Sequence, residues 1–451
     1  MTRERILIIG AGVCGLTLGH ELAEAGFQVT IVETQAQLGG LAKTYRYDGF
    51  SFDSGPHLFL TRNPAVNRFV ARVMDGDVQP LRMRGAVHFL GRYYDWPLTP
   101  KVILGLPPSV VLSVARDIFV RLFERQRTVP TTFEEYVLRK YGRTLYELDF
   151  GPYTEKFTKL PPTEIHSDWA IQGVSRTVIS EKVKTGSLGQ VIRMALAPRK
   201  APVLLSPRHG ISSFHARLAD TVTKRGGRIL LGSRVERFQR DGDRIVGARL
   251  APYGHDEPCD TVVWTAPLTE ACRLLGAPEP DLLYLPIVIY NISLRGAPKR
   301  DYQWIYYVDP ALPFNRVYHT VHFSSESAPP DHYGLCAEVS CREGDAVWRD
   351  PASLTESVVS ALLGVGLIDR EAVIAVHEEK LANAYPIYRT NYREEQRRGL
   401  LGLQGFSNLI VAGRTGRFWY NTMDNSIEDA LEVAGRVKRG VGNREAHERG
   451  E

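Results

Sequence analysis

Near the start of the chain, the stretch "RILIIGAGVCGLTLGHELAEAGFQVTIVE" sets Gly10, Gly12 and Gly15 at a spacing suited to holding a pyrophosphate. Each glycine has its own task. Gly10 permits a tight turn, Gly12 lets the backbone approach the phosphates, and Gly15 allows a helix to pack closely on the preceding strand. A pyrophosphate seated there caps the helix N-terminus, where free N–H groups and the helix dipole favour negative charge. Glu33 ends the next apolar run, in position to accept hydrogen bonds from ribose hydroxyls. This chemistry needs specific elements to position it. A buried strand over Ile6–Ile9, an amphipathic helix after Gly15 and a second strand over "QVTIV" together predict a dinucleotide-binding βαβ unit.

The continuation narrows the cofactor. "ETQAQLGGLAKTY" places Gly39 and Gly40 just beyond the acid, and "FSFDSGPHLF" follows. Later, "GRILLGSRVERFQRDGDRIVGARL" reads as a strand, Val235, and a hairpin around Gly242. "DTVVWTAP" reads as another buried strand. "LIVAGRTGRFWYNTMDNSIEDALEVAG" passes from strand through Gly413 and Arg414 into a helix. This series resembles the flavin-dependent amine oxidase superfamily. The resemblance implies FAD, with Val235 at the adenine and the glycine pair approaching the cofactor. It also implies a cofactor set of Gly10, Gly12, Cys14, Gly15, Glu33, Gly39, Gly40, Leu41, His57, Val235, Gly413, Arg414 and Met423.

Two insertions interrupt these pieces. Residues 96–195 are helical in pattern, with Thr131 or Thr132 as an N-cap and Glu134 and Glu135 in the first turn. Residues 277–395 alternate apolar and polar in "IVIYNISL", "YQWIYYV" and "YGLCAEVSC", which predicts an antiparallel sheet. The expected fold class is α/β: a Rossmann-like FAD-binding domain, discontinuous over 1–95, 196–276 and 396–440, with a helical insertion and an antiparallel-sheet substrate domain. A ligand cleft between the lobes follows.

Within that superfamily the whole chain resembles UDP-galactopyranose mutases and their relatives. "GPHLF" matches a glycine–histidine stretch at the flavin, with His57 as the counterpart. "GPYTEK" supplies Tyr153 for the nucleoside, and "VSRTVIS" and "LPFNRVYH" supply Arg176 and Arg316 for the diphosphate. "NAYPIY" and the closing motif supply Tyr385 and Tyr420. Thr158 stands where bacterial mutases carry a tryptophan, Thr422 where an acid follows the closing tyrosine, and Leu60 where a second histidine lies. The resemblance implies interconversion of pyranose and furanose forms of a nucleotide-diphosphate sugar. Reduced flavin N5 is the nucleophile at the anomeric carbon, a separate reductant is required, and Arg176, Arg316 and His57 are the catalytic set. A true oxidoreductase of the amine oxidase or protoporphyrinogen oxidase type is the alternative reading, and a non-enzymatic binding protein on the same scaffold is a third.

Bulk properties set the remaining bounds. The 451 residues carry 56 basic and 51 acidic side chains, a formal charge of +5. That is too weak to imply nucleic acid and is compatible with an anionic small substrate. The five cysteines are scattered without metal-site spacing. No metal is therefore expected, and free thiols in a cytoplasmic setting are. The N-terminus reads as strand with no signal peptide before it, and no run is long and apolar enough for stable membrane insertion. In "VILGLPPSVVLSVARDIFVRLFE", Val110, Val114, Ile118 and Leu122 recur at helical spacing and are expected to pack on the core, with a membrane-surface face as the alternative. Arg92–Leu98, "RYYDWPL", is read as covering the core rather than lining the cleft.

Overall fold

A computed structural model describes residues 3–59, 63–96, 100–121, 123, 129–171, 203–252 and 254–440. The first strand, Arg5–Ile9, lies at the centre of a five-stranded parallel sheet. It is flanked by Gln28–Val32 and Arg228–Leu230 on one side and by Thr261–Trp264 and Leu409–Val411 on the other. Because its side chains alternate and both faces are covered, the strand is apolar from Ile6 to Ile9. Ile6 and Ile8 join Val29, Ile31 and Val263 under the helices Val13–Glu24, Ser212–Lys224 and Met423–Lys438. Leu7 and Ile9 point the other way, onto Val235, Phe238 and Trp264, where the antiparallel strands Arg234–Asp241, Arg244–Ala251 and His255–Pro258 cover the sheet. Three separated stretches of chain thus build one nucleotide lobe.

The second sheet has seven strands, in the order Val373–Ile387, Leu283–Arg295, His332–Ser340, Arg316–His319, Trp304–Tyr307, Gly85–Phe89, Arg92–Trp96. Its last two strands correct the boundary placed at residue 95. Gly85–Phe89 pairs in parallel with Trp304–Tyr307 and is buried along its whole length. A strand covered on both faces needs a sheet to complete its ladder, and the substrate sheet provides it.

Helices cluster between the two sheets' connections, as the pattern predicts. Thr132 caps Phe133–Tyr141, its hydroxyl accepting from Glu135 N at 3.2 Å, while the Glu135 carboxylate accepts from Thr131 N at 2.8 Å. A π-helical turn, Tyr146–Phe150, leads into Gly151–Thr158. In Pro108–Arg121 the expected inward stripe holds at Val114, buried, and at Val110, partly buried. Ile118 is instead 41% exposed, and Leu122 lies outside the described residues. All five cysteines are buried free thiols. Among the described residues no helix is long and apolar enough to cross a membrane, and no cluster of metal-ligating side chains occurs.

Candidate active site

The glycine loop after the first strand is shaped by contacts that admit no side chain. Gly10 has φ +104°, and a Cβ there would lie 2.5 Å from Thr265 Oγ1. A Cβ on Gly15 would lie 1.9 Å from the Gly10 carbonyl oxygen, so only glycine lets the first helix sit this close to the strand. Gly12 differs. Its φ is −77°, and a Cβ would meet only Gly40 Cα and Gly39 O, at 3.8 and 4.0 Å. Nothing among the described residues crowds it; its missing side chain leaves space on the cavity side. Gly12 also bridges to Gly39, and Gly39 N donates to Ala11 O at 2.8 Å, so the glycine pair closes directly over the loop. Glu33 is buried at the end of its strand and accepts from Ala11 N at 2.8 Å and from Gln35 N at 2.9 Å.

These residues line one end of a cavity of about 620 Å³ that runs from Glu33 and Val235, past the two glycine turns, to the face of the seven-stranded sheet. Gly10, Gly12, Cys14, Glu33, Gly39, Gly40, Leu41, His57, Val235, Arg414 and Met423 all contribute to its wall. Gly15 and Gly413 lie behind it: a Cβ on Gly413 would press on Cys14 at 3.1 Å. Gly413 is fixed from below by Asp429, which accepts from its N–H at 2.7 Å and pairs with Arg417 at 3.1 Å.

The far wall is set by register. Trp304 and Tyr306 alternate onto the same face as Arg316, which lies opposite Tyr306 across the ladder, with Glu338 opposite Arg316 on the next strand. Arg316 donates to Glu338 through Nε at 3.1 Å and Nη2 at 2.6 Å, and Nη2 lies 3.5 Å from the Tyr385 hydroxyl. Tyr306 lies cross-strand from Arg316, and the Tyr153 ring stands edge-on to Tyr306 with centroids 5.9 Å apart. Tyr420 stacks on Trp169 at 4.6 Å and sits 5.8 Å from Tyr385. Arg414 underlies both rings, 4.9 Å from the Tyr420 centroid and 5.3 Å from that of Tyr385. Its guanidinium donates to the Ala384 and Asn421 carbonyls, which ties the sheet to the closing loop.

His57 occupies the junction between the two ends. Burial, with the nearby Arg316 and Arg414 cations, lowers it to about pKa 4. The imidazole is therefore neutral near pH 7. Its Nε2 is screened from solvent and has no partner among the described residues.

Several expectations meet different surroundings. Arg176 and Leu60 lie outside the described residues. Thr158 is fully buried and spends its hydroxyl on the Thr154 and Leu160 carbonyls. Trp96, read as a cover for the core, lines the cavity beside Trp304, their centroids 5.5 Å apart. Glu338, Tyr306, Trp304 and Asp429 were not singled out from sequence. The alternation of "YQWIYYV" marks one face of a strand, but which face meets the cavity depends on the neighbouring strands.

The cavity fits FAD by the chemistry of its wall. The first helix begins at Gly12 with no side-chain cap and no acid in its first turn, so its N–H groups are open to an anion. The Glu33 carboxylate faces the adenosine end. Among the described residues the buried Asn421 Nδ2 and His57 Nε2 both lack partners at the other end, where a polar heterocycle would meet them. The helix Met423–Lys438 starts there with a Thr422–Asn425 capping box.

Comparison with known proteins agrees with this geometry. Residues 13–438 match the family described as flavin containing amine oxidoreductase. The chain is 29% identical over 169 residues to a probable UDP-galactopyranose mutase of Klebsiella pneumoniae, covering 37% of this chain and 44% of the relative. It is 30% identical over 166 residues to the dTDP-fucopyranose mutase of Escherichia coli, covering 36% and 44%. The matched stretch thus spans under half the length of either mutase. A phytoene dehydrogenase of Streptomyces griseus matches at 26% over 298 residues, 60% of this chain and 56% of that enzyme. Among solved structures, reduced UDP-galactopyranose mutase superposes with a TM-score of 0.82 at 18% identity, over 97% of this chain and 94% of that one, a likeness of fold. FAD is the cofactor this scaffold holds. Loop geometry, cavity and family match converge, and the chain belongs to the flavin containing amine oxidoreductase family.

Proposed function

We propose that this flavoenzyme interconverts pyranose and furanose forms of a nucleotide-diphosphate sugar. The observation that carries the reading is the Arg316 guanidinium, set into the cavity wall with the hydroxyls of Tyr385 and Tyr306 beside it. FAD, when bound and reduced, supplies a nucleophilic nitrogen for covalent catalysis at an anomeric carbon.

What the chain adds is control of the leaving diphosphate. Negative charge grows on that group as the glycosidic bond breaks, and a cation already aimed at it stabilises the change without reorganising. Glu338 fixes Arg316 by two bonds, so the guanidinium is oriented before the ligand arrives. The same pairing offsets its charge, so phenol donors and a second cation share the load. The reading assigns that second role to Arg176. Tyr385 and Tyr420 hold the diphosphate until the sugar returns, Tyr153 approaches the nucleoside, and neutral His57 presents its ring to the cavity. No side-chain nucleophile is required.

A second reading has its own support. Trp96, Trp304, Met83, Ile287 and Leu381 make part of the wall apolar, which suits oxidation of a hydrophobic substrate by an amine oxidase or protoporphyrinogen oxidase type of enzyme.

Titration of UDP into the FAD-loaded protein separates the two. Arg316→Ala alone would leave Glu338 buried and unpaired, so the double variant R316A/E338Q is the cleaner comparison. Loss of a preorganised contact of this kind costs about 3–4 kcal/mol, a weakening of roughly 10²–10³-fold. Unchanged affinity with FAD retained removes Arg316 from the diphosphate site and the mutase reading with it.

A further inference from the structure

We propose that the outward face of the helix Pro108–Arg121 docks on an anionic lipid bilayer, lying in the plane of the headgroups. Leu112, Phe119 and Val120 recur at i, i+7 and i+8, and Phe123 follows at i+11 just beyond the helix end, so all four share one side. Leu112 is 73% exposed, Phe119 62% and Phe123 73%, and the two phenylalanine rings pack edge to face with centroids 5.1 Å apart. Leu104, on the preceding short helix, and Val129, on the segment that follows, are also exposed.

This face is surplus to folding. The opposite side of the helix already buries Val114 in the helical core, and Asp117 is turned inward to accept from Thr144 N at 2.6 Å. A helix apolar on both sides is expected to have something against each. Exposed apolar surface of this kind marks an interaction site.

The charge selects the occupant. Arg116 projects from the exposed face four residues after Leu112 and has no ion pair among the described residues. In the sequence, residues 100–130 carry five Lys or Arg (Lys101, Arg116, Arg121, Arg125, Arg127) against two acids (Asp117, Glu124); Glu124, Arg125 and Arg127 lie outside the described residues, and Arg121 donates to the Asp117 and Arg139 carbonyls. A second copy of the chain would present the same excess of positive charge and repel. Anionic headgroups attract it, while leucine and phenylalanine enter the acyl boundary. At 14 residues the helix is too short to span the hydrocarbon and suits a surface position.

Vesicle flotation of the full-length FAD-loaded protein tests this, with phosphatidylcholine vesicles prepared with and without phosphatidylglycerol. The wild type is expected to float with phosphatidylglycerol vesicles and to be released by salt. Leu112→Ser with Phe119→Ser should weaken binding about tenfold or more, because both side chains lose their apolar contribution. Flavin absorbance and melting temperature show that the variant folds. Three results overturn the proposal: wild type that stays in solution with both vesicle types, a double variant that floats like wild type, or a lipid-free dimer that the same substitutions dissociate. The last would identify a second copy as the occupant.

Discussion

Two glycines of the same loop should fail in opposite ways when changed to alanine. Gly15→Ala puts a methyl 1.9 Å from the Gly10 carbonyl oxygen, a carbon–oxygen pair that needs about 3.2 Å. The first helix must therefore retreat from its strand by about 1.3 Å, breaking core contacts at a cost of about 3 kcal/mol or more. Gly12→Ala meets nothing closer than 3.8 Å, and its φ of −77° suits any residue. The weaker N-cap, about 0.5–1 kcal/mol, is offset by a similar loss of unfolded-state entropy. The fold should tolerate that methyl. It projects, however, where the pyrophosphate approaches the helix N-terminus, and each charge-assisted bond lost there is worth about 1.5–3 kcal/mol, roughly 10- to 150-fold in affinity. Chemical denaturation of apoprotein, paired with calorimetric titration of FAD, reads both quantities. Gly12→Ala should keep its stability and lose FAD affinity; Gly15→Ala should lose stability first. Should Gly12→Ala bind FAD as tightly as wild type, the pyrophosphate does not lie where the loop geometry indicates.

Two further outcomes follow from the buried polar groups. Asp429→Ala leaves the Gly413 N–H and Arg417 without their partner, and denaturation should show a loss of about 3–5 kcal/mol, with Asp429→Asn costing less. Burial lowers His57 to about pKa 4 and His215 and His319 to about 3, so the unfolded chain takes up protons below about pH 6.5 that the native state refuses. Each group then removes about 1.4 kcal/mol per pH unit as pH falls toward 4. Burial raises Asp53 to about 6 and Asp149 to about 7, which opposes two of the three, and His20, His88 and His166 are also lowered. Urea midpoints should therefore fall between pH 6.5 and 4.5, and a midpoint that is flat or rises over that interval contradicts the assignment of buried neutral histidines.

The parts of this molecule that are legible in sequence are those whose constraint is local. Gly10, Gly12, Gly15 and Glu33 announce the nucleotide loop because turn, helix start and strand end are adjacent in the chain. The antiparallel strands show in alternation for the same reason. Residues 85–95 read as part of the nucleotide domain, and 96 as the start of the helical insertion, because nothing in "GAVHFLGRYYDW" states that its partner is Trp304–Tyr307, more than two hundred residues away. Glu338 and Trp96 were missed for a related reason. One looks like an ordinary strand acid and the other like a cover for the core until register puts them beside Arg316 and Trp304. In Pro108–Arg121 the spacing supports either core packing or a membrane-surface face for its apolar residues, and only the burial of Val114 against the exposure of Leu112 and Phe119 shows that the helix has an apolar face on each side.

The most direct test of the central claim uses dithionite-reduced, FAD-loaded protein incubated with a panel of nucleotide-diphosphate sugars, with products resolved by NMR for furanose anomeric signals. The account predicts pyranose–furanose interconversion of at least one sugar, dependent on prior reduction and with no net consumption of reductant. A protein that converts none of them, yet consumes oxygen while oxidising an amine or a porphyrinogen, would contradict it.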